Sequence, residues 1–422
     1  MNKTLKIIIS ILLSAAFFYL FIKDVNKIPI IRDSGLHKGT GLQADRILYI
    51  ADIENFEVGD SLTISSGRRK EDFRHKIAEI VGSEDGSGPP YLVTERPIEI
   101  ELLADDHPII HFPRLQRSLV RANYWWILPA LVATVLALVV RAYRWKFFLQ
   151  DYAEIKFQSL WRSVCVGYMA NNVLPFRIGE IVRAWFLARK ENRKTSEVFG
   201  TIVLERILDI LSILILYVVF VFYFAAGKSV KLPREMVYGA WIMAVIALGA
   251  LGFLILLKTK TARVRELLSR VFKILPDAVS SKANQMLDAF IKGLWIINSW
   301  KSIIISFSLS MLIWLVLAFA YLYVFFAVGI PANLILALFL IVALAFAVSI
   351  PSAPGFIGTF HWVGQQTLLL MGLKGNVEAY VLMAHLLAYI PVVLLGLFYL
   401  SLENVSWSEL KSSAGKLSEP GL

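Results

Sequence analysis

Apolar runs of helical length, separated by short polar stretches, set the pattern of this chain. They cover residues 7–22, 124–140, 199–226, 237–257, 303–328 and 377–400, with a shorter run at 334–348. A helix needs about 20 apolar residues to cross a ~30 Å hydrocarbon core, so the pattern predicts an α-helical polytopic membrane protein. Two stretches interrupt it. Asn171-Asn172-Val173-Leu174-Pro175-Phe176-Arg177-Ile178-Gly179-Glu180-Ile181-Val182-Arg183 sets amides, a proline, a glycine and charges between apolar flanks. Pro351-Ser352-Ala353-Pro354-Gly355-Phe356-Ile357-Gly358-Thr359-Phe360-His361 breaks the pattern further on with prolines, glycines and a histidine.

Basic residues bracket the first interruption: Arg141, Arg144 and Lys146 upstream, Arg189, Lys190, Arg193 and Lys194 downstream. Lys and Arg beside membrane segments mark the cytoplasmic side, so residues 157–189 are expected to enter the bilayer and return. From 157 to 171 is about 15 residues, roughly 22 Å of helix, short of the hydrocarbon core. Pro175 cannot continue a helix and Gly179 tolerates any backbone conformation, so the two are read as the turn. The reading is a re-entrant hairpin with a polar tip, and the alternative is a kinked span whose charges pair structurally. Residues 334–372 read as a second hairpin, entering from the outside.

The polar segments fill in the rest. Lys3 and Lys6 precede the first apolar run, and Lys23-Asp24-Val25-Asn26-Lys27 follows it where a signal peptide would carry a small-residue cleavage site. Residues 1–23 are therefore read as an uncleaved transmembrane anchor with a cytoplasmic N-terminus. Alternation in Arg46-Ile47-Leu48-Tyr49-Ile50, Asp60-Ser61-Leu62-Thr63-Ile64 and Ile98-Glu99-Ile100-Glu101-Leu102, with Gly- and Pro-rich turns between, predicts a small strand-rich domain at 24–122. One helix is expected there, near 71–80. The domain is inserted after the first helix and lies outside the membrane on the external, periplasmic side. A transmembrane core follows at 123–401, with a basic amphipathic segment at 258–300 lying on the cytoplasmic interface. Residues 402–422 form a cytoplasmic tail.

Pro175-x-x-x-Gly179 and Pro354-x-x-x-Gly358 stand 179 positions apart, and the same offset carries 124 onto 303, 198 onto 377 and Arg206 onto His385. Each half then reads as span, hairpin, span, with opposite orientations. Such inverted repeats place a substrate site where their broken helices meet. The competing explanation is chance recurrence of apolar segments.

Composition agrees with the membrane assignment: 57% of residues are hydrophobic, 18% charged, and the mean hydropathy is +0.64. The net charge of +11 is divided unevenly, at −4 for residues 24–122 and +15 for the remainder. Positive charge here reads as topology and contact with anionic headgroups, and no soluble segment forms a sustained basic patch for nucleic acid. The single cysteine, Cys165, excludes an internal disulfide and a multi-cysteine metal site. His107 and His111 sit among Pro108 and Pro113 and are not read as metal ligands.

Arg177, Glu180 and Arg183 at the first break, with Glu205, Arg206 and Asp209 in the following span, make three positive and three negative side chains. Each charge left unpaired in the membrane costs ~2.5–3.5 kcal/mol, so the six are expected to pair or to face water. One outcome is a staple holding hairpin to span. The other is a water-accessible pocket whose guanidinium groups bind a phosphate.

Asn172-x-x-Pro175-x-Arg177-x-Gly179-Glu180-x-x-Arg183, then Glu205-Arg206-x-x-Asp209, then Pro354-Gly355-x-x-Gly358-Thr359 resemble the lysylphosphatidylglycerol synthase transmembrane, or flippase-like, family. The resemblance covers roughly residues 120–400 and lacks the family's C-terminal aminoacyl-transfer domain; His361 stands where relatives often carry an acid. It implies a substrate-binding set of Asn172, Pro175, Arg177, Gly179, Glu180, Arg183, Glu205, Arg206, Asp209, Pro354, Gly355, Gly358, Thr359, His361 and His385. It also implies a lipid flippase of the cytoplasmic (inner) membrane, acting on an anionic phospholipid or a lipid-linked substrate. No catalysis, metal or cofactor is expected. A membrane enzyme using a lipid-linked donor is the alternative, though no nucleotide-binding or nucleophile motif is present. A further alternative is a scaffold that meets an envelope protein through residues 24–122.

Overall fold

The computed structural model describes residues 114–149, 155–174, 178–227, 259–274, 300–349, 353–373 and 375–406, six strand segments between 27 and 111, and scattered positions elsewhere. Pro175 and Arg177 lie outside the described residues, as do most of 1–23 and of 237–257.

Helices dominate. They are α1 (Arg114–Arg121), α2 (Ile127–Phe148), α3 (Phe157–Val173), α4 (Gly179–Lys190), α5 (Thr195–Gly227) and α6 (Thr261–Phe272), then α7 (Trp300–Ala327), α8 (Leu334–Ser349), α9 (Thr359–Leu370) and α10 (Val377–Leu402). Short 3-10 turns at Tyr124–Trp126 and Pro354–Phe356 precede α2 and α9. Among the described residues, three helices are long and apolar enough to cross a membrane: Tyr124–Phe148, Trp300–Ala327 and Val377–Leu402. The chain is a multi-pass membrane protein.

Ahead of the helices, strands β1 (Lys27–Ile31), β2 (Ile47–Ile50), β3 (Ser61–Ser65), β4 (Asp72–Val81), β5 (Tyr91–Thr94) and β6 (Ile109–His111) close on themselves in the order β1-β2-β5-β4-β3-β6. The helix expected near 71–80 is instead β4. Phe73, Ile77 and Ile80 suit a helical face, but pairing on both edges, Thr63 with Arg74 and Ile80 with Leu92, decides for strand.

Small residues set how closely the helices approach. Ala130 and Ala133 of α2 face α7, whose buried Ala318, Ala320 and Phe325 continue into a core shared with α8, α9 and α10. A second core joins α2, α3, α4 and α5 through Trp145, Leu160, Leu187 and Leu208. α3 lies between α4 and α10. On the α10 side, a Cβ at Gly396 would fall 2.7 Å from Met169 Cγ and 2.8 Å from the Cys165 carbonyl oxygen, so these backbones touch through glycine.

The same helices are tied at one end. Trp161 Nε1 donates to the Tyr399 hydroxyl at 2.8 Å, and Arg162 of α3 and Lys190 of α4 both pair with Glu403, just past α10. Burial opposes the charge on Glu403, but hydrogen bonds from Lys190 and Arg162 outweigh it and hold the carboxyl below its usual value. A carboxyl lowered by folding adds stability that is complete above its unfolded value and is lost as the pH falls through the lower folded one. Melting temperature measured from neutral pH to about pH 3 is therefore expected to fall more steeply for wild type than for Glu403→Gln. Parallel acid limbs would show that this clamp adds nothing to stability.

Candidate functional site

The first break places its glycine for a reason other than the turn. Gly179 opens α4 in ordinary helical geometry, and its N–H donates to Asn171 Oδ1 at 2.8 Å. A Cβ there would overlap the Gly167 carbonyl oxygen, and one at Gly167 would lie 2.5 Å from Arg183 Cβ. The expectation that Gly179 supplies a free backbone conformation is thus corrected: the residue lets α3 and α4 pack backbone to backbone. That contact sets Arg183 into the protein interior.

Arg183 is 2% exposed, donates to both oxygens of Glu205 at 3.0 Å, and lies over the Trp145 ring at 3.8 Å. Trp145 is itself held by Thr201, its Nε1 donating at 3.0 Å. Glu205 is fully buried and receives two more guanidinium groups, Arg144 at 2.9 Å and Arg206 at 2.6 Å. Asp209, one turn on, pairs with Arg144, with Arg206 at 3.0 Å and with Arg141 at 3.8 Å. Arg144 also donates to Ser310 of α7 at 2.5 Å, so one side chain links α2, α5 and α7. Tyr168 of α3 accepts from Arg141 at 2.8 Å and from Arg206 at 3.3 Å.

Arg141 and Arg144 were expected to mark the cytoplasmic end of a span. They face inward, at 8% and 0% exposure, and only Lys146 of that trio is exposed. The signal was present in the spacing: Ala130, Ala133, Ala137, Arg141 and Arg144 follow one helical face, and the buried alanines give its direction. Tyr168, Trp145 and Ser310 carried no comparable mark.

Their arrival changes the charge balance. The expected set was three against three. Among the described residues, the cluster holds four guanidinium groups, Arg141, Arg144, Arg183 and Arg206, against the two carboxylates Glu205 and Asp209. Glu180 is half-buried at the start of α4 and acts on Arg206 only from beyond ion-pair distance. Four buried donors in the cluster and its wall have no partner among the described residues: Arg144 Nε, Arg183 Nε, Arg206 Nε and Trp314 Nε1. Trp314 lies 5.8 Å from the Arg141 guanidinium. The least enclosed member is Arg206, whose side chain is 27% exposed. Surplus positive charge and surplus donors together call for an anionic acceptor.

The second break differs in kind. Gly355 (φ 75°) and Gly358 (φ 87°) adopt left-handed conformations, so here glycine does serve the turn. His361 Nδ1 accepts the Gly358 N–H at 3.2 Å, and His385 of α10 donates from Nε2 to the Gly355 carbonyl at 2.6 Å. The two imidazole rings lie 4.6 Å apart and are buried. Thr359 is buried beside them, its hydroxyl without a partner among the described residues, while Pro354 is exposed. Thus Arg183, Glu205, Arg206 and Asp209 come together at the first break, and Gly355, Gly358, His361 and His385 at the second. Asn172 stands half-buried in the last turn of α3. The 3-10 turn at 354–356 packs on α3, which belongs to the first group.

Residues 110–396 match the family model for the lysylphosphatidylglycerol synthase TM region. Three UPF0104 membrane proteins are similar. MJ1078 of Methanocaldococcus jannaschii is 22% identical over 56% of this chain and 95% of its own length. MJ1595 of the same organism is 28% identical over 24% of this chain and 31% of its own. PH1989 of Pyrococcus horikoshii is 27% identical over 41% of this chain and 53% of its own. The chain thus spans about a third and about half of two of these relatives. No solved structure matches.

Proposed function

Since the chain belongs to the family of the lysylphosphatidylglycerol synthase TM region, we propose that it moves an anionic, phosphate-bearing lipid between the leaflets of the cytoplasmic membrane. The observation that carries this reading is the excess of guanidinium over carboxylate in a buried cluster whose remaining orphan atoms are donors. A phosphate supplies the missing charge and acceptors together. Arg206 and Arg141 are the groups that hold it, with Tyr168 between them, because Arg183 is bidentate to Glu205, covered by Trp145 and less accessible than Arg206. Glu205 and Asp209 are each committed to arginines and neither is poised as a base, which favours transport over chemistry on the lipid.

In this reading α3 with α4, and α8 with α9, are re-entrant hairpins. At 17, 12, 16 and 12 residues these helices are short for a bilayer. The order long helix, short pair, long helix in α2 to α5 and again in α7 to α10 supports an inverted repeat with the site between its halves. Both termini then lie in the cytoplasm, and the strands at 27–111 outside.

Arg206→Gln is expected to retain the fold, since it lowers the cationic surplus, yet to slow anionic-lipid exchange in reconstituted vesicles by about tenfold or more. Arg141→Gln acts in the same direction. Exchange of zwitterionic lipid serves as reference. Normal anionic exchange in the double variant would refute the headgroup assignment, and lost folding with normal specific exchange would make the cluster a staple only.

A further inference from the structure

The second break holds two buried imidazoles that the headgroup site leaves unused, and their hydrogen bonds settle where their protons are. A carbonyl oxygen only accepts, so His385 carries its hydrogen on Nε2, toward Gly355. A main-chain N–H only donates, so His361 Nδ1 is bare and the ring neutral. The two residues therefore answer a proton differently. His385 can take one on Nδ1 and keep its bond to Gly355. His361 can take one only on Nδ1, and must then release the Gly358 N–H. That bond fastens the left-handed residue at the start of α9 to the first turn of the helix, so protonation of His361 unlatches the break.

Among the described residues, the elements packed around the pair carry few titratable side chains. α8, packed on α9, carries no titratable side chain. α10 presents His385 itself and Tyr389, whose ring is 5.9 Å from His385; its one charged residue, Glu378, accepts from Gln365 of α9 at 3.2 Å. α3, packed on the 3-10 turn, carries Arg162, Cys165 and Tyr168. Arg162 is held by Glu403, Tyr168 by the arginines, and Cys165 is a buried thiol.

We propose that His361 and His385 form a proton-binding site, and that loading His361 opens the break between α8 and α9 so that proton movement drives the lipid movement proposed above. Coupling rests on that lipid reading; the proton site itself does not. The balance is simple: one proton adds to His361 Nδ1, one main-chain hydrogen bond is lost, and deprotonation on the other side restores it.

The test reads the break first. Full-length protein carrying Ala353→Cys is labelled with a thiol reagent in lipid nanodiscs. Rates are normalised to Leu267→Cys on the exposed α6, which cancels the pH dependence of thiol chemistry itself. Acidification from about pH 7.5 to about pH 5.5 is expected to raise the normalised rate about tenfold. His361→Gln, whose amide oxygen still accepts from Gly358 but takes no proton, is expected to abolish the rise while melting like wild type. In vesicles with an internal pH dye, an acid gradient should accelerate anionic-lipid exchange and carry protons inward, and should do neither with His361→Gln. A pH-independent labelling rate, or a rise that survives His361→Gln, overturns the proposal. Labelling that behaves as expected in a protein that exchanges no lipid would leave the proton site standing and remove the lipid reading.

Discussion

Glu205→Gln is expected to be the most damaging conservative change in the charged cluster, costing ~3–5 kcal/mol of stability. Glu205 is fully buried and faces Arg144, Arg183 and Arg206 at once. Replacing it with an isosteric amide keeps the volume and removes one of two negative charges, so four guanidinium groups then share Asp209 alone. Removing a cation has the opposite sign in the balance. Arg206→Gln lowers the surplus, and the acids it leaves keep Arg144 and Arg183, so its cost is expected to stay below about 1 kcal/mol. The asymmetry separates a cluster built to receive an anion from a neutral staple, in which losing either sign would cost alike. Thermal melts of the two variants in the same detergent or nanodisc measure it. An anionic lipid should recover part of the Arg-surplus penalty by binding the folded form, raising the melting temperature of wild type more than a zwitterionic lipid does. Equal losses for Glu205→Gln and Arg206→Gln would exclude the charge-surplus argument.

What the sequence revealed and what it hid follow from the same physics. Long apolar runs announce themselves, because hydrophobicity is a property of each residue and needs no partner. Thus the helices Trp300–Ala327 and Val377–Leu402 are legible to within a few residues, whereas Tyr124–Phe148 runs eight residues past the apolar stretch 124–140, through Arg141, Arg144 and Lys146. The acids and Arg183 and Arg206 stood out because charges in apolar surroundings are costly. Arg141 and Arg144 were hidden by their position near a helix end, where arginine ordinarily marks topology; only the direction of the alanine face assigns them to the interior. The role of Gly179 is hidden, since a glycine that permits close contact and one that permits a turn look alike in sequence. The strand Asp72–Val81 reads equally as a helix, because its apolar spacing fits both periods and only its partners decide. Tyr168 and Trp314 acquire meaning only from what the fold places beside them.

Gly179 carries the second large effect. Gly179→Val is expected to separate α3 from α4 and cost ~3 kcal/mol or more, through overpacking against backbone that cannot yield. The new Cβ would overlap the Gly167 carbonyl oxygen and lie 2.5 Å from the Asn171 backbone nitrogen, and neither is the flexible end of a side chain. The Gly179 N–H bond to Asn171 would stretch with them. The consequence reaches further than packing. Arg183 sits one turn along α4 and meets Glu205 with paired bonds of 3.0 Å, so moving α4 outward withdraws that cation from a fully buried acid. Gly372→Ala, strained by its φ of 78° but with nothing within 4 Å of the new Cβ, is the control for glycine loss without a collision, at about 1 kcal/mol. Size-exclusion monodispersity and melting temperature after purification report the difference. A Gly179→Val protein as stable as Gly372→Ala would mean that α3 and α4 are free to move apart, and that the close contact does not position Arg183.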